Sequence, residues 1–218
     1  MQSIRQGPGA VKPKRAYDAS LRRKRAGQNR DRILDVAERR FLREGYASTT
    51  IAAITAEAGV SVDTVYKTYG GKPGLIRAIR ARALLGSGPI PAEQRSDDLQ
   101  AKEADPRKII RGWGRFVTEI APRSAPILLL VRDASRTDPE LRALLEELDD
   151  DRLRRMTDNA RRLSAAGHLR PRISLSDAAT VLWTYSSPGL YELVVLRQGM
   201  SLRRYGRFVA DAMIAALL

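Results

Sequence analysis

The chain has 218 residues, enough for one domain with a substantial core or for a domain plus a small module. It contains no cysteine and one histidine, His168, which excludes a disulfide scaffold, a thiol nucleophile and a metal site made of cysteines or clustered histidines. Lysine and arginine total 39 against 25 acidic residues, for a formal net charge of +14, so we expect an anionic partner. We expect no cofactor.

More than half of that positive charge lies near the N-terminus. Residues 1–30 contain nine lysines and arginines and one acid, Asp18, for a net charge of +8. We interpret residues 1–27 as a basic flexible arm that contacts nucleic acid, because neutralised phosphates release counterions. A solubilising tail and an anionic membrane surface are the alternatives. The N-terminal segment lacks the apolar stretch of a secretory signal, so we expect a cytoplasmic protein.

Two helices are predicted directly after this arm. The first begins after Gly27 and ends at Gly45, as is common at a helix C-terminus. Its buried face is predicted to carry five apolar residues at helical spacing: Ile33, Leu34, Ala37, Phe41 and Leu42. The second helix covers residues 51–58, with Thr50 as its N-cap and Gly59 at its end.

A tight turn is predicted to join the second helix to a third. Gly59 can adopt the left-handed backbone of such a turn, and Val60 can pack into the helix crossing. Ser61 can cap the third helix, over residues 62–68. Two short helices joined in this way form a helix-turn-helix, whose second helix fits the DNA major groove. Taken alone, the pattern is more typical of an ordinary helical hairpin than of a DNA-binding unit.

The sequence around this turn resembles the TetR family of one-component repressors, over about residues 28–80. The resemblance rests on RILDVAERRFLREGY at 32–46, TTIAAI at 49–54, AGVS at 58–61, TVY at 64–66, and YGGK at 69–72 with Leu75. The chain departs from the family at Thr55 and Tyr69, where Ala and Phe are usual. Asp63 is a further departure, because it places an acid on the recognition helix.

The resemblance implies that residues 28–75 form a DNA-binding domain. Contacts with phosphates are then expected from Thr49, Thr50, Tyr66 and Lys72. Contacts with base edges are expected from Val62, Asp63, Thr64 and Lys67. Asp63 has an open alternative, which is to pair with Lys67 or cap the helix. The basic cluster of the arm is expected to follow the minor groove or adjacent phosphates: Arg22, Arg23, Lys24 and Arg25.

The remaining residues, 76–218, are also predicted to be helical. A fourth helix covers 73–85, and the polar stretch from there to Asp105 is predicted to be a linker or flexible loop. Later helices are expected over about 106–120, after Pro122 and Pro126, and over about 138–166, 175–198 and 201–217. No convincing strand pattern occurs, so we predict an all-α fold with an N-terminal three-helix DNA-binding domain and a C-terminal helical bundle.

Two stretches of this bundle have other possible interpretations. The run 178–196 is close to the length of a membrane span, but Ser186 to Gly189 interrupt it, so we predict buried helices and no membrane contact. The acidic run 146–151 precedes Arg152, Arg154 and Arg155, which predicts ion pairs between residues four apart on a solvated face rather than a metal site.

The resemblance further implies a homodimer and a small-molecule pocket in residues 76–218. The dimer interface is expected to include Leu182, Leu190, Leu193, Val194, Tyr205, Phe208, Val209, Met213 and Leu217; the alternative is that these residues form a monomer core. Wall residues of the pocket are expected to be Trp113, Phe116, Arg132, Trp183 and Tyr185; ordinary packing is the alternative.

These features together predict a transcription regulator. We expect a small-molecule-responsive repressor that binds a palindromic operator as a dimer, with an effector that the sequence does not identify. The alternative is an architectural or broadly specific DNA-binding protein without an effector. A helical enzyme is a weaker alternative, since no catalytic triad, P-loop or GxGxxG motif is found.

Overall fold

The computed structural model describes the backbone of residues 14–218 and the side chains from residue 25 onward. This range is all-α and contains no strand, as predicted. The helices are α1 (Lys14–Glu44), α2 (Ile51–Ala58), α3 (Val62–Tyr69), α4 (Lys72–Ala83), α5 (Ala92–Lys102), α6 (Pro106–Ala134), α7 (Pro139–Ala165), α8 (Leu175–Tyr185), α9 (Pro188–Tyr191) and α10 (Leu202–Leu217). A π-helical turn, Glu192–Arg197, follows α9 directly and precedes α10.

Helix α1 is longer than the sequence predicts. It begins at Lys14 and passes through Gly27 without a break, so the prediction of a flexible arm up to residue 27 was wrong for residues 14–27. Ala, Leu, Arg and Lys dominate this stretch and are good helix formers, whereas one internal glycine costs only about 1 kcal/mol. The buried face is also corrected, because Leu42 is 44% exposed and Val36 is buried in its place.

The first hydrophobic core joins α1–α4 to the middle of the chain. Ile33, Ala37 and Phe41 of α1 pack with Ile54, Val65 and Ile76 of the three following helices. The same core includes residues of α6 and α7: Ile127, Val131, Leu141, Leu144 and Leu148. The predicted domain boundary at residue 75 therefore falls within α4, whose buried side chains bind both parts together.

The second core lies among α6, α7, α8 and α10. It corrects several predicted interface residues, because five of them are buried inside a single chain: Leu182, Tyr205, Val209, Met213 and Leu217. Val194 is buried here too, and Leu190 packs against this core from a half-buried position. For these residues the monomer-core alternative describes the structure, because α10 packs its apolar face on α6 and α8 packs on α7 and α10.

The segment around α5 and α6 differs from its prediction. Part of the predicted loop before Asp105 forms α5, which packs on α6. Helix α6 runs without interruption through Pro122 and Pro126, where the sequence predicts a helix boundary. Each proline removes one backbone hydrogen bond. Because α6 packs against α4, α7, α9 and α10, its buried contacts outweigh this loss.

The C-terminal third is divided where the sequence has Ser186 to Gly189. The predicted helix over 175–198 consists of α8, α9 and the π-helical turn, and Ser187 caps α9 by accepting a hydrogen bond from the Leu190 amide (3.1 Å). Among the helices described, none combines the length and apolar character that crossing a membrane requires.

Two glycines allow α6 and α10 to approach closely. A Cβ at Gly206 would lie 2.4 Å from Thr118 Cγ2 and 2.7 Å from the Gly114 carbonyl oxygen. We therefore expect Gly206→Ala to lower the free energy of unfolding by about 1–3 kcal/mol, because the helices must separate. Chemical denaturation measures this change.

Gly27→Ala is the matched control. A Cβ at Gly27 meets no atom within 4 Å, and the residue is helical. This variant is expected to be as stable as the original chain or up to about 1 kcal/mol more stable. Equal stability of the Gly206→Ala variant and the original chain would contradict the close approach.

Candidate functional site

The turn between α2 and α3 has the geometry of a helix-turn-helix. Thr50 caps α2 by accepting a hydrogen bond from the Ala53 amide (3.1 Å), and Gly59 ends α2 in the left-handed conformation, with φ of 64°. Ser61 caps α3 by accepting a hydrogen bond from the Thr64 amide (3.2 Å). These local interactions are those the sequence predicts, so α2 and α3 are set by short-range chemistry.

Helix α3 presents one face to the solvent. Val65 is fully buried and anchors the helix in the first core, against which Tyr69 packs from a half-buried position. The opposite face carries the exposed side chains Val62, Asp63, Tyr66, Lys67 and Thr68, with Thr64 half-buried beside them. The four predicted base-contacting residues and Tyr66 therefore lie together on one short helix.

Asp63 pairs with Lys67 in this structure. Their side chains are exposed and 2.7 Å apart, one helical turn from each other. The alternative of an ion pair is therefore the arrangement observed. An exposed pair of this kind contributes less than about 1 kcal/mol, so it holds neither side chain firmly and both remain accessible to a ligand.

An ion cluster ties α1 to α2. Arg40 Nε donates to Glu57 (2.6 Å), and Arg39 donates to the other carboxylate oxygen of Glu57. Arg40 also pairs with Glu44 on its own helix, 3.1 Å away. The hydrogen bonds from Arg39 and Arg40 lower the pKa of Glu57 below its ordinary value. The cluster therefore fixes the position of α2, which lies behind α3, through side chains at the outer surface of the first core.

Two predicted phosphate contacts have different surroundings from those expected. Thr49 is fully buried and its hydroxyl donates to the Gly45 carbonyl (2.8 Å), so the prediction for Thr49 was wrong: the side chain closes the α1–α2 loop. Lys72 donates to the Tyr46 carbonyl (2.8 Å) and lies over the Tyr46 ring. Burial lowers its pKa. Its ammonium group has two further donors for an anion.

Of the basic cluster, the structure describes only the Arg25 side chain. Arg25 is exposed near the middle of α1. The side chains of Arg22, Arg23 and Lys24 lie outside the described residues, although the backbone at these positions is helical. The predicted cluster is thus carried on a helix.

A cavity of about 160 Å³ lies among helices α4 to α10. Most of its wall is apolar, and Trp113 and Phe116 belong to it. Trp113 Nε1 donates to Ser96 Oγ (2.9 Å), and Ser96 is 3.4 Å from Asn159 Oδ1. A buried neutral polar group therefore lies beside an aromatic wall.

Three other predicted wall residues do not line this cavity. Arg132 pairs with Glu192 (2.7 Å) on the π-helical turn, and Tyr185 packs edge to face against Phe208. Trp183 packs on the guanidinium group of Arg152, 4.4 Å from its ring centroid. The predictions for Arg132, Trp183 and Tyr185 as wall residues were therefore wrong, because none of the three belongs to the lining of the cavity.

The fold and the helix-turn-helix match known regulators. Residues 33–79 match the family model of bacterial regulatory proteins, tetR family. The HTH-type transcriptional regulator YvkB of Bacillus subtilis (strain 168) is 35% identical over 68 residues, which are 31% of this chain. The chain belongs to the TetR family. The matched segment spans 35% of the length of YvkB.

Solved structures extend this likeness to the whole TetR-family fold. The complex of SmeT with triclosan superposes with a TM-score of 0.68 at 26% identity, covering 88% of this chain and 92% of SmeT. NalD of Pseudomonas aeruginosa, the secondary repressor of the MexAB-OprM multidrug efflux pump, has the same TM-score at 18% identity, covering 88% of this chain and 98% of NalD. The second match concerns the fold alone.

This TetR-family chain also exposes apolar side chains near its C-terminus. Leu193 is 59% exposed on the π-helical turn, and Phe208 is exposed on α10. Leu196 and Leu202 are exposed on the same two elements. Of the predicted interface residues, Leu193 and Phe208 are thus the ones that are free to meet a partner, and the buried residues are not.

Several cavity residues were missed by the sequence analysis. Arg80, Arg152 and Arg155 line the cavity, although Arg152 and Arg155 were interpreted as part of a solvated face. Of the ion pairs in that region, Arg152–Asp149 and Arg154–Asp151 are three residues apart, not four. Arg77–Glu147 and Arg80–Asp151 instead join α4 to α7. Helical spacing does not predict such pairs because they depend on which helices are neighbours.

Proposed function

We propose that this TetR-family protein is a small-molecule-responsive repressor in the cytoplasm that binds a palindromic operator as a homodimer. The observation that carries the proposal is the exposed face of α3, held outward by the buried Val65 and by the Ser61 cap. An α-helix of this kind fits the major groove, where base edges are distinguishable.

The exposed residues of α3 divide by chemistry into two groups. Val62 and Thr64 can contact a thymine methyl group, and Lys67 can donate to guanine. Asp63 can accept from a cytosine amine if it leaves Lys67. Tyr66 and Thr50 have hydroxyl groups for phosphates, and Lys72 has its remaining donors. The first group would select the sequence and the second would hold the register.

The basic segment of α1 is proposed to contact phosphates. A helix is about 10–12 Å wide, whereas the minor groove is about 6 Å wide, so a helical segment does not fit into that groove. Of the two alternatives for the cluster Arg22, Arg23, Lys24 and Arg25, the helical backbone favours phosphates beside the groove. Residues 1–13 lie outside the described residues.

Two copies of the chain are proposed to pair through the exposed apolar residues of the π-helical turn and α10. Leu193, Leu196, Leu202 and Phe208 present large apolar side chains to solvent, and such surfaces often mark a protein interface. A symmetric pair delivers two α3 helices to two half-sites of a palindrome, which explains why pairing and reading are coupled.

The cavity is proposed to hold the effector. Arg80 and Leu84 of α4 are part of its wall, and Lys72 at the other end of α4 lies beside the helix-turn-helix. A ligand that binds better when α4 is displaced would therefore alter the spacing of the two α3 helices. A coupling of about 1–3 kcal/mol changes DNA affinity by about 5–150-fold. SmeT, of the same fold, forms a complex with triclosan.

Operator reading is tested by two substitutions on α3. We first select bound duplexes from a random pool at fixed salt. Thr64→Ala is expected to relax the preference at particular base pairs, with a loss of about 1–3 kcal/mol on the preferred sequence. Tyr66→Phe removes one phosphate contact and is expected to weaken all duplexes alike. A uniform loss for Thr64→Ala, or no preferred duplex at all, contradicts sequence-specific reading and favours an architectural role.

The contribution of the basic segment is tested by salt dependence. Replacing Arg22, Arg23, Lys24 and Arg25 by Gln is expected to weaken binding to every duplex and to flatten the slope of log affinity against log salt, because fewer counterions are released. Fluorescence anisotropy at several salt concentrations measures the slope. An unchanged slope refutes the contact.

Pairing is tested by one charge on the apolar surface. Phe208→Asp is expected to shift the dimer towards monomer and to abolish binding to a palindrome while the fold persists, because an unpaired carboxylate would be buried in the interface. Sedimentation velocity measures the oligomeric state. Leu42→Asp, at an exposed leucine of α1, is the matched control and is expected to leave the dimer intact. A dimeric Phe208→Asp variant overturns this interface.

A further inference from the structure

The cavity wall contains arginines whose carboxylate partners do not themselves line the cavity. Arg80, Arg152 and Arg155 line the cavity, with side chains 16%, 13% and 16% exposed. Their carboxylate partners do not line it and are more exposed: Asp151 at 36%, Asp149 at 44% and Asp97 at 34%. The one carboxylate in the wall is the exposed Glu93. The residues that line the cavity therefore include three arginines and a single acid.

Arg152 is the cation most firmly held. Its Nη1 donates to the Trp183 carbonyl and lies 3.3 Å from Ser186 Oγ, and its Nη2 contacts Asp149 at 3.2 Å. The Trp183 ring packs against the guanidinium plane. The Nε–H is buried and has no hydrogen-bond partner. Burial lowers the pKa of Arg152, as expected for a cation that its exposed partner compensates only in part.

The rest of the wall suits an apolar body. Thirteen of the lining residues offer carbon or thioether surface, among them Trp113, Phe116, Ile120, Leu128, Met156 and Met213. Such a surface next to a fixed guanidinium group matches a molecule with one apolar part and one acceptor group, since an arginine fork binds a carboxylate in bidentate geometry.

We propose that the effector is an organic anion: an apolar body that fills the cavity and a carboxylate that binds Arg152, with Arg80 and Arg155 adding positive charge. This inference rests on the proposed ligand response and specifies its chemistry. A cationic effector would meet three like charges, and a neutral one would offer only neutral acceptors to the arginines. A carboxylate forms charge-assisted hydrogen bonds with them, which are about twice as strong.

The test compares three probes that differ only in the head group. Decanoate, decanol and decylamine are titrated into the full-length protein by isothermal calorimetry, below the concentrations at which they form micelles. Decanoate is expected to bind at least about tenfold more tightly than decanol, because a charge-assisted hydrogen bond is about twice as strong as a neutral one. Decylamine is expected to bind most weakly. Equal or tighter binding of decanol or decylamine, or no binding of decanoate, overturns the proposal.

Substitutions locate the head group. Arg152→Gln is expected to reduce decanoate affinity by about tenfold or more and to leave decanol affinity unchanged. Arg154→Gln is the matched control, since Arg154 lies on the same helix, is exposed and does not line the cavity. If Arg152→Gln does not fold, Arg155→Gln serves in its place and is expected to lower decanoate affinity alone. A folded Arg152→Gln or Arg155→Gln variant that still prefers decanoate to the same degree overturns the assignment.

The chemistry and the proposed function fail in different ways. Decanoate binding that leaves operator affinity unchanged supports the anionic cavity and contradicts the ligand response. If the protein does not bind decanoate but a neutral or cationic compound releases it from its operator, the ligand response is supported and the anionic class is overturned.

Discussion

Burial of α6 against six other helices is the constraint on which the rest of the molecule depends. Its C-terminal half supplies Ile127 and Val131 to the first core, and its N-terminal half supplies Ile110 and Trp113 to the second. Each fully buried aliphatic side chain contributes about 1.5–3 kcal/mol relative to exposure. This packing keeps α6 helical through two prolines and holds the helix-turn-helix and the cavity in one structure.

Helix α4 connects those two functional regions. Leu75 and Ile79 are buried in the first core, while Arg80 and Leu84 lie in the cavity wall. Arg77 and Arg80 pair with Glu147 and Asp151 of α7, and Arg82 pairs with Asp35 and Glu38 of α1. An occupant that competes for Arg80 would therefore act directly on a helix that also supports α3. Movement of this element would rearrange these ion pairs together with the core contacts of Leu75 and Ile79.

Arginine has two separate roles in this chain. In α1 the basic residues are concentrated on one segment and suit a polyanion outside the protein. In the cavity, arginines from α4 and α7 are part of a mostly apolar wall, and their acidic partners lie on the solvent side. Net charge gives no indication of the second role, because the cavity arginines are balanced by acids close to them in space.

Local interactions in the sequence by themselves determined the helix-turn-helix formed by α2 and α3. Thr50, Gly59 and Ser61 act within a few residues of themselves, so caps, turn and the outward face of α3 were all predictable, as was the all-α class. Only the tertiary structure decided that Thr49 is buried, that Lys72 contacts Tyr46, and that Tyr205 belongs to a monomer core. The cavity was also decided only by the tertiary structure, because its arginines become neighbours only when α4 and α7 pack together. Periodicity along one helix contains no information about which helix lies opposite.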